Sequence, residues 1–386
     1  IGQHLSSFLE GKGYDVIPLG RDLFKEDCFD ELCRCVESCE VVINLAGASI
    51  NKRWTEAYKQ ELYDSRICVT RQLVHAINTR SVKLELFISA SAVGYYPAFG
   101  EYDEYHDCRG MDFLARLCGA WEEEASACSS DVRLVITRFG VVLSEDGGAL
   151  KEMLRLQRFS RVSVVIGNGQ QRFPWISLFD LCRSFGYIIR NRQMRGVVNL
   201  VSPDLITQKQ LAHTLARADK IRRIIPLPEF FFRLKFGEGA SFVTKGQTVH
   251  PSKLQESGFT YIYPTIEKLM NITDHHTVPE LDVKRYMGRW YEIARYENHF
   301  ERGMTDVTAT YTLLPDGKIR VENEGYKGGV HKKATGRAKQ PDPKNNPGKL
   351  KVAFFLWFYA DYYILELDAD YQYAVIGSST DKYLWI

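Results

Sequence analysis

Short apolar runs alternate with longer amphipathic stretches along the first 200 residues. The apolar runs are rich in β-branched residues, which is typical of buried strands. They occupy 14–20, 40–47, 84–96, 132–143 and 196–202. The stretches between them carry apolar residues at three- and four-residue spacing, which predicts helices over 2–12, 53–79, 112–128, 148–158 and 178–191. This alternation predicts a parallel sheet with helices on both faces, a doubly wound α/β fold of the Rossmann type.

The hydrophobic pattern changes in the second half of the chain. After residue 203 it loosens into helices and loops, and the proline-containing segment 274–283 predicts a domain boundary. Beyond this boundary the period becomes two, and apolar and polar residues alternate around the turn Pro315-Asp316-Gly317, which predicts an antiparallel hairpin. The sequence thus predicts an α/β domain over 1–202, a smaller part over 203–273 and an all-β domain over 278–386.

Composition narrows the class of protein. The chain has 386 residues with 45% hydrophobic and 25% charged residues, which indicates a globular protein of several domains. Its 50 basic and 48 acidic residues are interspersed, so a nucleic-acid partner is not expected. No apolar run approaches the roughly 20 residues that cross a bilayer, so no transmembrane segment is expected.

The cysteines and the first residues of the chain indicate the cellular compartment of the protein. The nine cysteines lie in the first half, their number is odd and their spacing fits no zinc site, so we expect free thiols and no metal. The first residues show no secretory signal, which together with free thiols favours the cytoplasm. The chain does not begin with methionine, so we expect that it is an internal fragment or a trimmed product.

Candidate nucleotide-binding residues follow the predicted strands. Gly2 begins the first predicted helix, where a dinucleotide fold places its phosphates, and Arg21 follows the strand 14–20, where a cation can meet a 2′-phosphate. The small residues Ala46 and Gly47 end the next strand. Ser89 and Ser91 with Tyr95 end the following one, at the edge where ligands of open α/β sheets bind.

Several ordered motifs carry a family resemblance. They are NLAGASINKRW (44–54), SASAVGYY (89–96), CGAWEEEA (118–125), TRFGVVLSEDGGAL (137–150), GNGQQRFPWI (167–176) and NLVSP (199–203). With these motifs, residues 1 to about 272 resemble the extended short-chain dehydrogenase/reductase superfamily, in its bacterial epimerase-like branch of mostly uncharacterised oxidoreductases.

The resemblance implies roles for particular residues. Gly2 would be the last glycine of the phosphate turn, the first strand lying outside this chain, and Arg21 would favour NADP, with NAD still possible. The cofactor would be lined by Asn44, Leu45, Ala46, Gly47 and Ser89. Ser91 corresponds to the catalytic serine of the family.

The sequence departs from the family at the catalytic Tyr-x-x-x-Lys pair, whose lysine activates the tyrosine as a proton donor. The spacing of the helix places this pair at 114 and 118, which are Leu114 and Cys118 here. Three alternatives remain open. Tyr95 or Tyr96 beside Ser91 does the work, or the substrate chemistry differs, or the domain binds a cofactor without turnover.

A second resemblance covers residues 279–386. The motifs PELDVKRYMGRWYEIARYENHFERG (279–303), VAFFLWFYADYYILELDADYQYAVIG (352–377) and DKYLWI (381–386) resemble lipocalins, most closely bacterial lipoprotein lipocalins. The resemblance implies that Gly288 permits a tight entry into the first strand and that Trp290 plugs one end of the barrel. The chain stops before the family's closing arginine, so we expect an incomplete barrel with an exposed edge.

Lipocalins bind small hydrophobic ligands, and the bacterial members bind fatty acids and lysophospholipids. Tyr311, Phe354 and Tyr363 are the candidate ligand contacts, although a barrel interior filled by side chains is an alternative. The predicted function is an NADP-dependent epimerase or reductase, acting on a hydroxyl- or carbonyl-bearing small molecule, fused to a lipid-binding lipocalin. The alternatives are a non-catalytic nucleotide sensor or ligand carrier, and two neighbouring genes joined in one sequence. The oligomeric state stays open.

Overall fold

The chain forms two compact units in the computed structural model. The structure describes residues 1–81, 84–144, 147–270, 277–298, 301–344, 346–354, 359–378 and 383–386. The first unit comprises Ile1–Leu269 and the second Met270–Ile386. Residues 271–276, which include the start of the predicted boundary segment 274–283, lie outside the described residues.

The first unit combines helices and strands. Its helices are α1 (Gly2–Glu10), α2 (Phe29–Glu37), α3 (Glu56–Thr79), α4 (Phe113–Ser126), α5 (Gly148–Ser160), α6 (Leu178–Arg190), α7 (Gln208–Ala218), α8 (Glu229–Phe236), α9 (Ser241–Thr244), α10 (Ser252–Glu256) and α11 (Ile266–Leu269). Its strands are β1 (Val41–Asn44), β2 (Leu86–Ala92), β3 (Glu101–Tyr102), β4 (Arg133–Phe139), β5 (Val141–Leu143), β6 (Val162–Ile166), β7 (Trp175–Ser177), β8 (Gly196–Leu200), β9 (Arg223–Leu227) and β10 (Thr248–Val249). Short 3₁₀ turns span Arg21–Phe24, Glu26–Cys28, Val93–Tyr95 and Glu238–Ala240.

The main sheet is parallel and confirms the predicted doubly wound fold. Its strand order is β1-β2-β4-β8, and helices cover both faces. Leu86 and Ile88 of β2 pack with α1 and α6, whereas the intervening Phe87 packs with α2 and α3. Buried apolar residues on both faces are what a continuously apolar strand requires. All four strands end at the same edge, so the segments that follow them converge there.

Three of the strands predicted from the sequence are absent, shorter or interrupted in the structure. The segment 14–20 contains no strand, because no strand of the described residues lies beside it, although Tyr14 and Val16 still pack against the core. The predicted strand 40–47 ends at Asn44, where the loop to α3 begins. The predicted strand 132–143 is broken at Gly140, where a Cβ would lie 2.8 Å from the carbonyl oxygen of Pro174.

Helix α2 was not predicted from the sequence. Its buried Leu32 and Val36 are four residues apart, and Phe29 and Cys33 pack beside them on the same face. This spacing is helical, so the hydrophobic pattern contained the signal.

The described residues of the second unit form strands and one short helix, α12 (Val283–Tyr286). Its strands are β11 (Gly288–Tyr291), β12 (Met304–Leu313), β13 (Ile319–Lys327), β14 (Val330–Lys339), β15 (Lys349–Ala353), β16 (Ala360–Leu367), β17 (Ala374–Gly377) and β18 (Leu384–Trp385). They form one eight-stranded antiparallel sheet in which each strand pairs with the next. The predicted hairpin is present as β12 and β13, with Leu313 opposite Ile319.

The two ends of this sheet meet at a short seam. The backbone N–H of Ile293 donates to Ile386 at 2.7 Å, Ile386 donates back to Ala294 at 2.8 Å, and Tyr296 donates to Leu384 at 3.0 Å. Within the described residues the sheet forms an incomplete barrel, as expected, and the seam gives part of its edge a partner.

No helix in the described part of the chain combines the length and the apolar character needed to span a bilayer.

Candidate active site and ligand cavity

The predicted nucleotide-binding residues lie at the end of β1, in the loop after it, in the middle of β2 and at two exposed positions earlier in the chain. The parallel register places Asn44 beside Ser89, so these two residues share one level of the sheet. Gly2 is the first residue of α1, and Arg21 begins a 3₁₀ turn; both are exposed. No side chain of the described residues caps the first turn of α1, and the N-terminus of a helix favours an anion.

The Asn44 side chain shapes the loop after β1. Its Nδ2 donates to Thr70 Oγ1 at 2.8 Å, and its Oδ1 accepts from the backbone N–H of Ala46 at 3.1 Å. Trp121 Nε1 donates to the same Thr70 hydroxyl at 2.9 Å. Asn44 is therefore committed to protein partners, and it fixes the backbone of Leu45 and Ala46.

Arg66 lies directly beneath this loop. A Cβ at Gly47 would lie 2.9 Å from the Arg66 guanidinium carbon, so a larger residue there would displace the end of the Arg66 side chain. Arg66 donates to the carbonyl oxygens of Leu62 and Ala48 at 3.0 Å each, and no carboxylate of the described residues pairs with it. Burial lowers the pKa of Arg66. An uncompensated cation at this edge of the sheet fits an anionic dinucleotide.

Ser89 provides a second feature that fits a bound cofactor. Its hydroxyl is buried and has no hydrogen-bond partner in the described part of the chain. A buried hydroxyl without a partner is uncommon in proteins and calls for an explanation. Together with Arg66 and the first turn of α1, it makes the donor set compatible with a phosphate-bearing nucleotide.

A buried polar cluster surrounds Ser91. Ser91 Oγ donates to Glu122 Oε1 at 2.5 Å. Arg138 forms two hydrogen bonds to the same carboxylate, Nε to Oε1 at 2.8 Å and Nη2 to Oε2 at 2.7 Å. The register of β2 and β4 places Ser91 opposite Arg138, and Glu122 reaches both from α4. All three side chains are buried, and only such full pairing makes buried charges tolerable.

Arg138 also contacts the two candidate tyrosines. Its guanidinium carbon lies 3.5 Å from the centre of the Tyr95 ring and 4.7 Å from that of Tyr96. Burial alone would lower the pKa of Arg138, but the hydrogen bonds and charge of Glu122 outweigh burial and raise it. Arg138 is therefore a permanent cation in this cluster.

The two tyrosine hydroxyls have different surroundings. The Tyr96 hydroxyl is buried, 2.9 Å from the carbonyl oxygen of Asp103 and 3.1 Å from Asn199 Oδ1. Tyr95 is half-buried, and among the described residues its hydroxyl has one long contact, 3.4 Å, to Asp107 Oδ1. Burial raises the pKa of Tyr95, and Arg138 opposes this effect without cancelling it. Tyr95 is the more available of the two proton donors.

The positions of the family's missing pair provide no proton relay. Leu114 packs against Gly94, where a Cβ would lie 3.4 Å from that of Leu114. Cys118 is buried, and burial, with a contribution from Glu122, raises the pKa of its thiol to about 12. At neutral pH this thiol is protonated and uncharged, so it cannot take the place of a lysine.

Sequence reasoning missed Glu122 and Arg138, and both left a signal. Glu122 follows Cys118 by four residues and so lies on the same face of α4. Arg138 is the one charge within the apolar segment 134–143, and a charge in a buried strand requires a partner.

The second unit contains a cavity of about 530 Å³. Tyr311 and Phe354 line it, as the sequence suggested. The candidate Tyr363 is not among its lining residues, whereas Tyr362 is. Alternate residues of a strand face opposite sides, so the sequence assigned the wrong side of β16. The Tyr363 ring instead lies 5.5 Å from the ammonium group of Lys349.

Gly288 and Trp290 have structural positions. Gly288 has φ of +113°, which favours glycine, at the start of β11. Trp290 packs against Tyr286, with ring centres 5.0 Å apart, and its Nε1 donates to the Tyr286 carbonyl oxygen at 3.0 Å. The tryptophan therefore ties β11 to the end of α12.

Charged residues also line the cavity. Glu292 pairs with Arg295, and Glu301 accepts hydrogen bonds from Asn298 and Trp385 at 2.8 Å each. Arg285 and Arg289, by contrast, form no ion pair with a carboxylate of the described residues; Arg285 donates to the carbonyl oxygen of Ala369 at 3.0 Å. This imbalance leaves positive charge at the cavity wall.

A parallel sheet with an anion-compatible edge and a buried Ser-Glu-Arg cluster defines the first unit as a dinucleotide-binding domain of the Rossmann class. The second unit is an eight-stranded antiparallel sheet that forms an incomplete barrel. Residues 1–200 match the NAD dependent epimerase/dehydratase family, and the chain belongs to this family. Residues 227–271 match a domain of unknown function, and residues 281–386 match the lipocalin-like domain.

Similar proteins cover most of the first unit. An epimerase family protein of Staphylococcus saprophyticus is 37% identical over 235 residues, which cover 60% of this chain and 78% of that protein. The chloroplastic homolog of epimerase family protein SDR39U1 from Arabidopsis thaliana is 36% identical over 238 residues, which cover 60% of this chain and 68% of that protein.

Two solved structures resemble the same region. The human epimerase family protein SDR39U1, crystallised with NADPH, is 32% identical with a TM-score of 0.64; the match covers 70% of this chain and 94% of that one. A nucleoside-diphosphate sugar epimerase from Corynebacterium glutamicum is 26% identical with a TM-score of 0.55; the match covers 70% of this chain and 54% of that one.

Proposed function

We propose that the first unit is an NADP(H)-dependent oxidoreductase of the epimerase/reductase type, acting on a small molecule that bears a carbonyl or hydroxyl group. The observation that carries this proposal is the cluster of Ser91, Glu122, Arg138 and Tyr95 at the carboxyl edge of the sheet. It combines a permanent cation, a buried carboxylate and an accessible phenol, which are the components of proton transfer.

Particular residues would hold the cofactor. Gly2 and the first turn of α1 would face the pyrophosphate, and Arg21, which is exposed, would meet the 2′-phosphate that distinguishes NADP from NAD. The loop 44–47 and the Ser89 hydroxyl would line the rest of the site. The nicotinamide, when bound, supplies or accepts a hydride. The NADPH in the similar human protein supports the choice of NADP.

The side chains of this protein would handle the proton. When a carbonyl carbon receives a hydride, its oxygen becomes an alkoxide, which takes the hydroxyl proton of Tyr95. The phenolate that remains lies under the Arg138 guanidinium, which stabilises its charge. Glu122 holds Arg138 in place and accepts a hydrogen bond from the Ser91 hydroxyl, so Ser91 Oγ can accept a hydrogen bond from a substrate hydroxyl. Because burial keeps the pKa of Tyr95 above its usual value, the phenol is protonated at neutral pH, which favours reduction.

The test combines binding and turnover. The full chain is titrated with NADPH and with NADH by nicotinamide fluorescence, and NADPH oxidation is then followed with a panel of aldehydes, ketones and keto sugars. We expect tighter binding of NADPH than NADH, and turnover of at least one carbonyl class. Absence of NADPH binding at millimolar concentration would contradict the cofactor assignment.

A second candidate function is nucleotide sensing without turnover. Leu114 and Cys118 favour it, because they remove the pair that the family uses for proton transfer. Tight NADPH binding without oxidation by any carbonyl of the panel would support this candidate over the enzyme.

We propose that the lipocalin-like unit binds a small hydrophobic ligand such as a fatty acid or lysophospholipid. The cavity of about 530 Å³ supports this role and argues against a filled interior, since it falls within the usual size of small-molecule sites. Trp290 and Trp385 line the cavity, so their fluorescence should change when dodecanoic acid is added. No change, and no displacement of an apolar fluorescent probe, would contradict ligand binding.

We also propose a reducing compartment such as the cytosol. All nine cysteines are unpaired in the structure. Mass spectrometry of native protein after thiol blocking should find nine free thiols, and an intact disulfide would contradict this placement.

A further inference from the structure

Three tyrosine hydroxyls form a chain inside the second unit. Tyr286 at the end of α12 and Tyr311 on β12 both contact Tyr362 on β16 through their hydroxyl oxygens, at 2.8 and 2.9 Å. Tyr362 therefore occupies the middle of the chain. The rings pack closely as well, with centres 5.5 Å apart for Tyr286 and Tyr311 and 6.1 Å apart for Tyr311 and Tyr362.

The three tyrosines have three hydroxyl hydrogens, but their hydroxyl groups make two hydrogen bonds with one another. Each hydroxyl carries one hydrogen, and the two contacts use two of the three. If Tyr362 donates to one neighbour, the hydrogen of that neighbour remains; if both neighbours donate to Tyr362, its own hydrogen remains. In every arrangement one hydroxyl hydrogen lacks an acceptor among the described residues.

All three tyrosines line the cavity of about 530 Å³. Burial raises the pKa of Tyr311 to about 12 and that of Tyr286 and Tyr362 well above the usual value. The hydroxyls therefore remain donors across the physiological pH range. A buried donor without an acceptor is unfavourable, and an acceptor brought by a ligand removes that penalty.

We propose that this tyrosine chain is a polar subsite that receives a carbonyl-type oxygen, a carboxylate or an acyl ester, of an amphiphile whose apolar chain occupies the rest of the cavity. Aromatic residues such as Trp290, Phe354 and Trp385 provide the apolar wall for that chain. The tyrosines offer a hydrogen to an acceptor, so the subsite distinguishes a lipid with a carbonyl group from a plain hydrocarbon. This inference rests on the proposed ligand binding by the lipocalin-like unit and specifies its chemistry.

The test compares ligands of equal chain length on the full protein. Dodecanoic acid, methyl dodecanoate and dodecane are measured by displacement of an apolar fluorescent probe, with the wild type and with the triple variant Tyr286→Phe/Tyr311→Phe/Tyr362→Phe. The variant keeps the rings and removes every hydroxyl, so it leaves no unpaired partner. The double variant Tyr291→Phe/Tyr373→Phe, which changes two exposed tyrosines at the same cavity, is the matched control.

We expect the wild type and the control to bind the ester about tenfold more tightly than dodecane, and the triple variant to bind both equally. Tighter binding of the acid than of the ester identifies the carboxylate as the preferred head group, and the reverse identifies the ester. The infrared carbonyl stretch of bound methyl dodecanoate should lie at a lower frequency in the wild type than in the triple variant, because hydrogen bonding weakens the C=O bond.

The experiment distinguishes failure of ligand binding by this unit from failure of the tyrosine subsite alone. If none of the three ligands displaces the probe, ligand binding by this unit is wrong, and the subsite with it. If dodecane and the ester bind equally to the wild type, or if the carbonyl frequency is the same in both proteins, the unit binds apolar ligands but the tyrosine subsite is overturned.

Discussion

The guanidinium of Arg138 stacks on the ring of Tyr95, 3.5 Å from its centre, while its nitrogens hold the carboxylate of Glu122. One side chain thus connects the buried pairing that supports the sheet with the phenol that we propose as proton donor. Any substitution of Arg138 should therefore change both the free energy of unfolding of the first unit and the proposed proton transfer from Tyr95.

Removal of Arg138 alone should strongly destabilise the first unit. We expect Arg138→Leu to lower the free energy of unfolding by about 3–5 kcal/mol, because it leaves the Glu122 carboxylate buried without its cation. The double variant Glu122→Leu/Arg138→Leu should recover most of this loss. Urea unfolding followed by circular dichroism provides the measurement.

The matched control is the pair Arg71–Glu124, which has a similar two-bond geometry at the surface. Arg71→Leu should lower the free energy of unfolding far less than Arg138→Leu does, because solvent screens an exposed pair. A similar loss for both arginines would show that burial of the Glu122 pair is not the cause.

Tyr95 and Tyr96 should respond differently to loss of their hydroxyls. Tyr95→Phe should lower kcat for carbonyl reduction by about 10²–10⁴ while NADPH binding is unchanged, since the proton donor is lost and the cofactor contacts are not. Tyr96→Phe should retain turnover and lower the free energy of unfolding by about 1–2 kcal/mol, because the buried hydroxyl bonds to Asn199. Steady-state kinetics and thermal unfolding separate the effects, and equal loss of turnover in both variants would contradict the assignment.

The architecture of the first unit was predictable because buried parallel strands are continuously apolar and amphipathic helices alternate with them. The segment 14–20 has the same local pattern, but no strand among the described residues pairs with it, and pairing with a neighbour is a property that local sequence does not encode. In the second unit, alternation predicted the hairpin of β12 and β13. It did not determine whether Tyr362 or Tyr363 faces inward, because both neighbours are the same residue type.

The candidate site was predictable only in part. Ser91 and Tyr95 stand out in the motif 89–96, and the structure places both beside Arg138. Glu122 on α4 and Arg138 on β4 are 16 residues apart in the sequence, and their contact depends on how α4 packs on the sheet. Single-sequence reasoning identifies a buried charge that needs a partner, but it does not say which partner the fold provides.

Gly288 should be sensitive to substitution for conformational reasons alone. Its φ of +113° disfavours any side chain, yet a Cβ there would meet no atom within 4 Å. We expect Gly288→Ala to lower the free energy of unfolding of the lipocalin-like unit by about 1–3 kcal/mol. Gly20 also has open space around a Cβ, but its φ of −77° is ordinary, so Gly20→Ala should be neutral or slightly stabilising. Urea unfolding of both variants tests this, and equal effects would rule out backbone strain.

The tyrosine chain should make the lipocalin-like unit sensitive to alkaline pH. Burial raises the pKa of Tyr311 from 10.0 to about 12, so in the folded state its hydroxyl keeps a proton that the unfolded chain has already released. Above pH 10 the unfolded state therefore binds fewer protons than the folded state, and stability falls as pH rises toward about 12. Below pH 10 both states hold the proton, and these residues should cause no change. We expect the midpoint of urea unfolding, followed by fluorescence of Trp290 and Trp385, to fall between pH 10 and 12 in the wild type. The variant Tyr286→Phe/Tyr311→Phe/Tyr362→Phe should lose much of this decline, whereas Tyr291→Phe/Tyr373→Phe should keep it. An identical decline in all three proteins would show that other groups cause the alkaline unfolding.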